Sequence, residues 1–264
     1  MSQLRNTVLS SLVRPLTARS VIASTLLGMT PPRLSAAALV ANGELFGVAA
    51  GTTRVALSRM VDGGELSLID GAYALAGALL ERHARQESGR HPRLSKWSGT
   101  WRIGVVTSAA RTAIERAALR RAMEQLRVAE LREGVWVRPD NLAIESSSAR
   151  GVADAQCTWM TATLDGEIDT DALFGLAAWA GAARELLHEL ALTRDALRQR
   201  DASALGATFV IAAATTRHLT LDPLLPTELL PADWPGETLR NAYDTYQDDF
   251  TATWRDWFRA RQDG

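Results

Sequence analysis

Cysteine is almost missing from this sequence: Cys157 stands alone among 264 residues, so no intrachain disulfide can form and no thiol-rich metal site can be built. Lysine is as scarce. Lys96 is the single lysine among the 29 Lys and Arg residues, and Trp97 follows it. A Gly-x-x-x-x-Gly-Lys-Ser/Thr phosphate loop is therefore excluded, and any Schiff-base chemistry would fall to that one residue. Four histidines, His83, His91, His188 and His218, are scattered without metal-ligand spacing. The Gly-x-Ser-x-Gly elbow, the Gly-x-Gly-x-x-Gly fingerprint and His-Glu-x-x-His do not occur. No run of about 18 apolar residues offers to span a membrane, and the start Met1-Ser2-Gln3-Leu4-Arg5 lacks a secretory apolar stretch. These gaps argue against an enzyme, a metalloprotein and a secreted chain. They predict a cytoplasmic protein with no cofactor, no metal and no membrane partner.

What is present suits a folded chain of several parts. With 47% apolar and 22% charged residues over this length, a substantial core is expected. The net charge of −1 conceals an uneven distribution. Residues 1–90 carry nine arginines against six acids, a balance of +3, whereas residues 171–264 carry nine arginines against fourteen acids, a balance of −5. The positive end holds the first informative motif.

That motif runs from Ala50 to Leu75. Thr53, Leu57, Met60, Val61 and Gly64 fall on one helical stripe, which leaves Gly51, Thr52, Arg54, Val55, Ser58, Arg59 and Asp62 facing outward. Gly51 or Thr52 is expected to start the helix, and Gly63-Gly64 to end it. Leu66, Leu68, Tyr73 and Leu75 then alternate around Asp70-Gly71, the pattern of a two-stranded ribbon. Helices over residues 17–29, closed by Pro31-Pro32, and over residues 35–46 complete the arrangement of a winged helix-turn-helix. Arginine forks bond guanine edges in pairs, and serine or threonine hydroxyls reach phosphates or bases. Thr52, Thr53, Arg54, Ser58 and Arg59 are accordingly the DNA-contact candidates. The same face also suits a plain solvated helix or a protein-binding module.

Further along, a charged helix over residues 78–88 reads as a linker. A strand at Ile103–Val106, a helix over residues 111–126, strands over residues 134–138 and 157–164, and a helix over residues 171–179 make most of a ferredoxin-like split βαβ. A nuclease on such a sheet would need an acidic metal ligand near the first strand's end, and Val105-Val106-Thr107-Ser108 supplies none. The remainder is helical and acidic, interrupted by a proline-dense stretch from Leu221 to Gly236 that reads as a rigid packed loop. In the last helix Leu239, Tyr243, Tyr246, Phe250, Trp254 and Trp257 form one apolar stripe, for a core or for a dimer contact.

Several segments taken together carry a resemblance: Leu16-Thr17-Ala18-Arg19-Ser20; Arg54-Val55-Ala56-Leu57-Ser58-Arg59-Met60-Val61; Trp97-Ser98-Gly99-Thr100-Trp101-Arg102; Arg132 to Leu142, with Gly134-Val135-Trp136-Val137-Arg138-Pro139 at its centre; and Asp222-Pro223-Leu224-Leu225-Pro226 through Trp234-Pro235-Gly236. In this order they resemble the PaaX family of repressors of phenylacetic acid catabolism, over about residues 15 to 245. The resemblance implies an α+β protein: a winged helix-turn-helix (residues 1–76), a linker helix (77–96), a ferredoxin-like middle domain (97–180) and a helical C-terminal domain (181–264). It further implies a homodimeric repressor that binds double-stranded operator DNA and is released by an acyl-CoA effector, phenylacetyl-CoA in the best-known members. Such an effector needs arginine for phosphate and an aromatic wall, which makes Trp101, Arg102, Arg138 and His218 the candidates. A CoA-thioester enzyme is the alternative of a different class, disfavoured by the missing nucleophile motifs.

Overall fold

The computed structural model describes residues 17–108, 110–143 and 147–262; the reading of the first five residues lies outside them. The chain is mixed, with helices beside two antiparallel sheets. It divides into two compact units, one built from residues up to 86, 182–219 and 237 onward, the other from residues 87–181 and 220–236.

In the first unit, Thr17 caps α1 (Ala18–Leu27) by accepting from the Ser20 amide at 3.1 Å, and Ser35 caps α2 (Ala36–Leu45) through the Ala38 amide. Each occupies an amide that a helix start leaves without a carbonyl partner. α3 (Ala50–Asp62) has no such cap. Ala49 sits at its N-cap position, so the start signal expected from Gly51 or Thr52 is not used. The end is as expected, with Gly64 in the left-handed region at φ 69°. Leu57 and Met60 of α3 enter a core with Ile22, Leu26, Leu39 and Leu66, where each fully buried side chain contributes about 1.5–3 kcal/mol.

β2 (Leu66–Ile69) and β3 (Ala72–Leu75) form a hairpin, Leu68 opposite Tyr73. Its turn is Asp70-Gly71, both at positive φ, as a two-residue hairpin turn of the favoured twist requires. A third strand, β1 (Arg33–Ser35), pairs with β3 and completes the order β1-β3-β2; its three residues carry too little alternation to show in sequence.

α4 (Gly77–Arg90) starts at a glycine that nothing else can replace easily. Gly77 has φ 50°, and a Cβ there would come within 2.7 Å of the Gly64 carbonyl oxygen. Gly77→Ala is therefore expected to lower stability by about 1–3 kcal/mol, whereas Gly51→Ala, where the added methyl meets open space, should lower it not at all. Urea unfolding of both variants checks this; a wild-type midpoint for Gly77→Ala would remove the close approach from the account.

Within the same unit lie most of α8 (Leu176–Arg198), α9 (Leu205–Thr220) and α10 (Gly236–Gln262). The aromatic stripe of α10 is a core: Leu239, Tyr243, Tyr246 and Trp254 are buried. Tyr246 places its hydroxyl 3.0 Å from that of Thr193, and burial pushes its phenol up to about 12. Trp254 Nε1 donates to Asn42 Oδ1 at 3.0 Å, and Gln247 Nε2 donates to the Gly28 carbonyl at 2.8 Å. Asn42 in turn donates to Thr25. These bonds fasten α10 to α1 and α2.

The second unit holds a four-stranded sheet of order β5-β6-β4-β7, from β4 (Thr100–Val106), β5 (Ala129–Arg132), β6 (Val135–Pro139) and β7 (Cys157–Thr163). With α5 (Ala113–Gln125) and α6 (Ser148–Asp154), the elements run β-α-β-β-α-β, a complete split βαβ. Sequence periodicity omits β5 and α6 and places a helix over residues 171–179. Instead α7 (Thr170–Phe174) stops at Gly175, φ 65°, and α8 starts directly afterwards, capped by Asp171, whose carboxylate accepts from the Ala177 amide at 2.7 Å. α5 opens with a capping box between Thr112 and Glu115. Leu119, Met123, Val128, Trp136, Ala153 and Cys157 make the core under the sheet. The proline-dense stretch is packed as expected, with Asp222, Leu224 and Leu225 buried and Trp234 stacked on Trp179 at 4.6 Å.

Candidate nucleic-acid interface

The outward face of α3 follows from its packing. Because Thr53, Leu57 and Met60 turn into the core, Gly51, Thr52, Arg54, Val55, Ser58, Arg59 and Asp62 are all exposed. At about 100° per residue, Arg54 and Arg59 lie roughly 140° apart around the helix axis, with Ser58 and Val55 between them. The face is thus a strip with Arg54 at one margin and Arg59 beside Thr52 at the other. Among the described residues neither arginine makes an ion pair with a carboxylate, while Arg19 is held by Glu65 at 2.8 Å. Arg59 stands in the last turn, where a cation also suits the helix dipole.

One sequence candidate does not belong to this strip. Thr53 is fully buried, 0% exposed, with its hydroxyl donating to the Ala49 carbonyl at 3.3 Å. It packs where α2 has Gly43, a position at which a Cβ would come within 2.5 Å of the Thr53 oxygen. Its part is to let α2 and α3 approach, and it presents nothing to a duplex. Conversely, Val55, outward in the sequence pattern but not among its contact candidates, is 52% exposed in the middle of the strip, and Leu68 and Ile69 near the hairpin tip are 59% and 48% exposed. An apolar side chain turned to solvent between two arginines is what a thymine methyl could meet; only its outward position, not its chemistry, signalled it in sequence.

Of the four effector candidates three belong to the second unit and one to the first. Trp101 is buried in β4 with its ring edge-on to Trp97, centroids 6.0 Å apart. Arg102 points to the other face of the strand and pairs with Asp140 at 3.2 Å. His218 is on α9 in the first unit. Arg138 is fully buried and has no donor left for a ligand. Nε donates to the Pro139 carbonyl at 3.0 Å, Nη1 to those of Leu126 and Arg127 at 3.3 Å each, and Nη2 to Asn141 Oδ1 at 3.0 Å and the Leu224 carbonyl at 3.5 Å. That uses all five N–H groups of a guanidinium. Burial, then the neighbouring charges of Arg127 and Arg102, push it down to about 9, which still leaves it charged at neutral pH. Arg138 is a staple for the Asp222–Leu225 stretch, and the expectation of an effector contact there is corrected.

Fold and charge together define a multi-part α+β protein with a sheet-bearing middle and a helical C-terminal part. Residues 94–173 match the model of the PaaX protein central Cas2-like domain, and residues 175–260 that of the PaaX-like protein C-terminal domain. The chain belongs to the PaaX family, whose members are known as transcription regulators. It is also similar to the solved structure of an uncharacterized protein, Rv0674 from Mycobacterium tuberculosis, with 42% identity over 92% of this chain and 99% of that one and a TM-score of 0.70. No curated protein matches it. Among the described residues no helix is long and apolar enough to cross a membrane.

Proposed function

We propose that this protein is an effector-responsive, DNA-binding transcriptional repressor of the phenylacetate-catabolism type, acting as a homodimer and released by an acyl-CoA ligand. The observation that carries the reading is the α3 strip: exposed Thr52, Arg54, Val55, Ser58 and Arg59 on a helix whose opposite side is locked into a core, followed by a hairpin with an exposed tip. This is the form of a winged helix-turn-helix. α3 enters a major groove and the β2–β3 hairpin lies along the adjoining backbone. In a dimer two such helices meet grooves about 34–36 Å apart on one face of a palindromic site. Family membership supports the regulatory role.

The test is fluorescence anisotropy with duplex from the promoter beside the protein's own gene, a scrambled duplex as reference, and a salt series. Expected is a preference of about 10³ or more for the promoter sequence, an affinity falling steeply with salt as counterions are released, and weakening on addition of phenylacetyl-CoA. Equal affinity for the scrambled duplex at every salt concentration overturns the reading.

A further inference from the structure

The first unit contains a half-open cavity of about 70 Å³ lined from α1, α2, α4, α9 and α10. A water needs about 10–15 Å³ of such space and occupies about 30 Å³ of liquid, so the cavity holds roughly five waters, or an organic group of about 150 Å³. A benzyl or short acyl group is of that size; a whole CoA thioester is far larger. One wall is aromatic, from Phe209, Tyr243, Phe250 and Trp254. Its other side is polar and cationic. Gln86 lines it at 7% exposure, and its Oε1 has no hydrogen-bond partner. Arg82 and Arg217 stand at the exposed rim.

Charge at that rim is out of balance. Arg85 is near Glu81 and Arg19 is held by Glu65, yet among the described residues neither Arg82 nor Arg217 has a carboxylate partner. Partial desolvation, and after it the nearby guanidinium of Arg217, hold Arg82 below the usual arginine range. Two like charges without a counter-ion, beside a buried amide oxygen with no donor, form an arrangement that folding alone does not favour. An occupant with an anionic end and an apolar body relieves both.

We propose that this cavity is a ligand site for a small aryl or acyl group bearing an anionic head, the tail against Phe209, Tyr243, Phe250 and Trp254 and the head between Arg82 and Arg217. The head is either the carboxylate of a free acid or the phosphates of a CoA thioester lying outside the rim. The site itself stands on the cavity; that its ligand acts on DNA binding rests on the proposed function. The route for that action is short. Thr25 and Asn42, on the helices that carry α3, and Gly28, at the C-cap of α1, line the same cavity, and Gly28 and Asn42 are bonded to Gln247 and Trp254 of the aromatic helix. A ligand that binds better to one spacing of α10 against α1 shifts the protein toward that spacing by its differential affinity.

Isothermal titration of the full chain with phenylacetate, phenylacetyl-CoA and 2-phenylethylamine tests the site without DNA. Binding by an anionic probe and none by the amine of the same shape is expected. Binding by phenylacetate assigns the head to a carboxylate, binding by the thioester alone assigns it to the phosphates. Arg217→Ala and Arg82→Ala, both on exposed side chains, should weaken the bound probe about tenfold each. Ala213→Phe, which fills the cavity, should abolish binding. Gln86→Leu should reduce binding while leaving the unfolding midpoint unchanged or raised, because it removes an unsatisfied buried oxygen; a lowered midpoint would show that the amide serves the core instead. No heat with any anionic probe, or equal affinity in wild type and Arg217→Ala, overturns the site. Binding that depends on these residues but leaves promoter affinity unchanged keeps the site and removes its coupling to the proposed function.

Discussion

Arg138→Met should lower the stability of the sheet-bearing unit by about 3–5 kcal/mol, the loss typical of removing one partner from a buried charged arrangement. The guanidinium is 0% exposed and bonded by all five N–H groups to four carbonyls and the Asn141 amide oxygen. Buried ion pairs can often be exchanged for apolar groups at little cost because both partners are replaced together. Here that escape is closed. Four acceptors are main-chain carbonyls, which no substitution removes, and a methionine would leave them buried without donors at about 1–3 kcal/mol for each that water cannot reach. Asn141 would retain its own bond to the Leu224 carbonyl at 3.0 Å, so the proline-dense stretch would loosen but not detach. Arg138→Lys should recover part of the loss, since an ammonium offers three donors without the planar fork. Urea unfolding followed by tryptophan fluorescence measures both. A Met variant within about 0.5 kcal/mol of wild type, the range of an ordinary surface change, would show that the carbonyls find other donors and that the staple is dispensable.

The same residue shows where sequence reasoning reaches its limit. An arginine inside Val135-Trp136-Val137-Arg138-Pro139 signals a purpose, because a charge in an apolar strand is costly. The sequence does not say whether that purpose is a ligand or five acceptors, since Leu126, Arg127 and Leu224 converge on it only through the fold. What was legible was periodic and local. Leu57 and Met60 recur at helical spacing, so the buried side of α3 and hence its exposed side could be read directly, and Asp70-Gly71 marked its hairpin. β5 and α6 were not legible for the opposite reason. Ala129–Arg132 is four residues with no deeply buried one, and Ser148–Asp154 packs through the small side chains of Ala149 and Ala153 in place of a large apolar stripe. Thr53 misled because a threonine beside arginines suits a phosphate contact, whereas the glycine that gives it room lies in the preceding helix. The cavity was out of reach altogether: Asn42 and Trp254, which close one side of it, are 212 positions apart.

Arg54→Ala and Arg59→Ala should each weaken promoter binding by about 1–3 kcal/mol, and their placement says how. A major groove is about 12 Å wide, so a helix inserted along the axis of its exposed strip brings Val55 and Ser58 to the groove floor and the two marginal arginines toward its walls. Walls are phosphate. Each arginine variant should therefore lose affinity by a similar factor on promoter and scrambled duplex alike, and reduce the slope of log affinity against log salt by about one. Changing Val55 or Ser58 should do the reverse: Ser58→Ala should alter which bases are preferred while leaving the salt slope as it was. All four side chains are exposed, so unfolding midpoints should stay near wild type. Leu57→Ala by contrast costs about 2–5 kcal/mol of stability and can weaken binding only by disturbing the helix that presents the strip. If Arg54→Ala instead abolishes the preference for the promoter and leaves the salt slope intact, that arginine reads a guanine and α3 sits rotated in the groove, with the Arg54 margin turned to the floor. If both arginine variants and Ser58→Ala bind as wild type does, α3 is not the reading element, and the structure's basic N-terminal strip serves another surface.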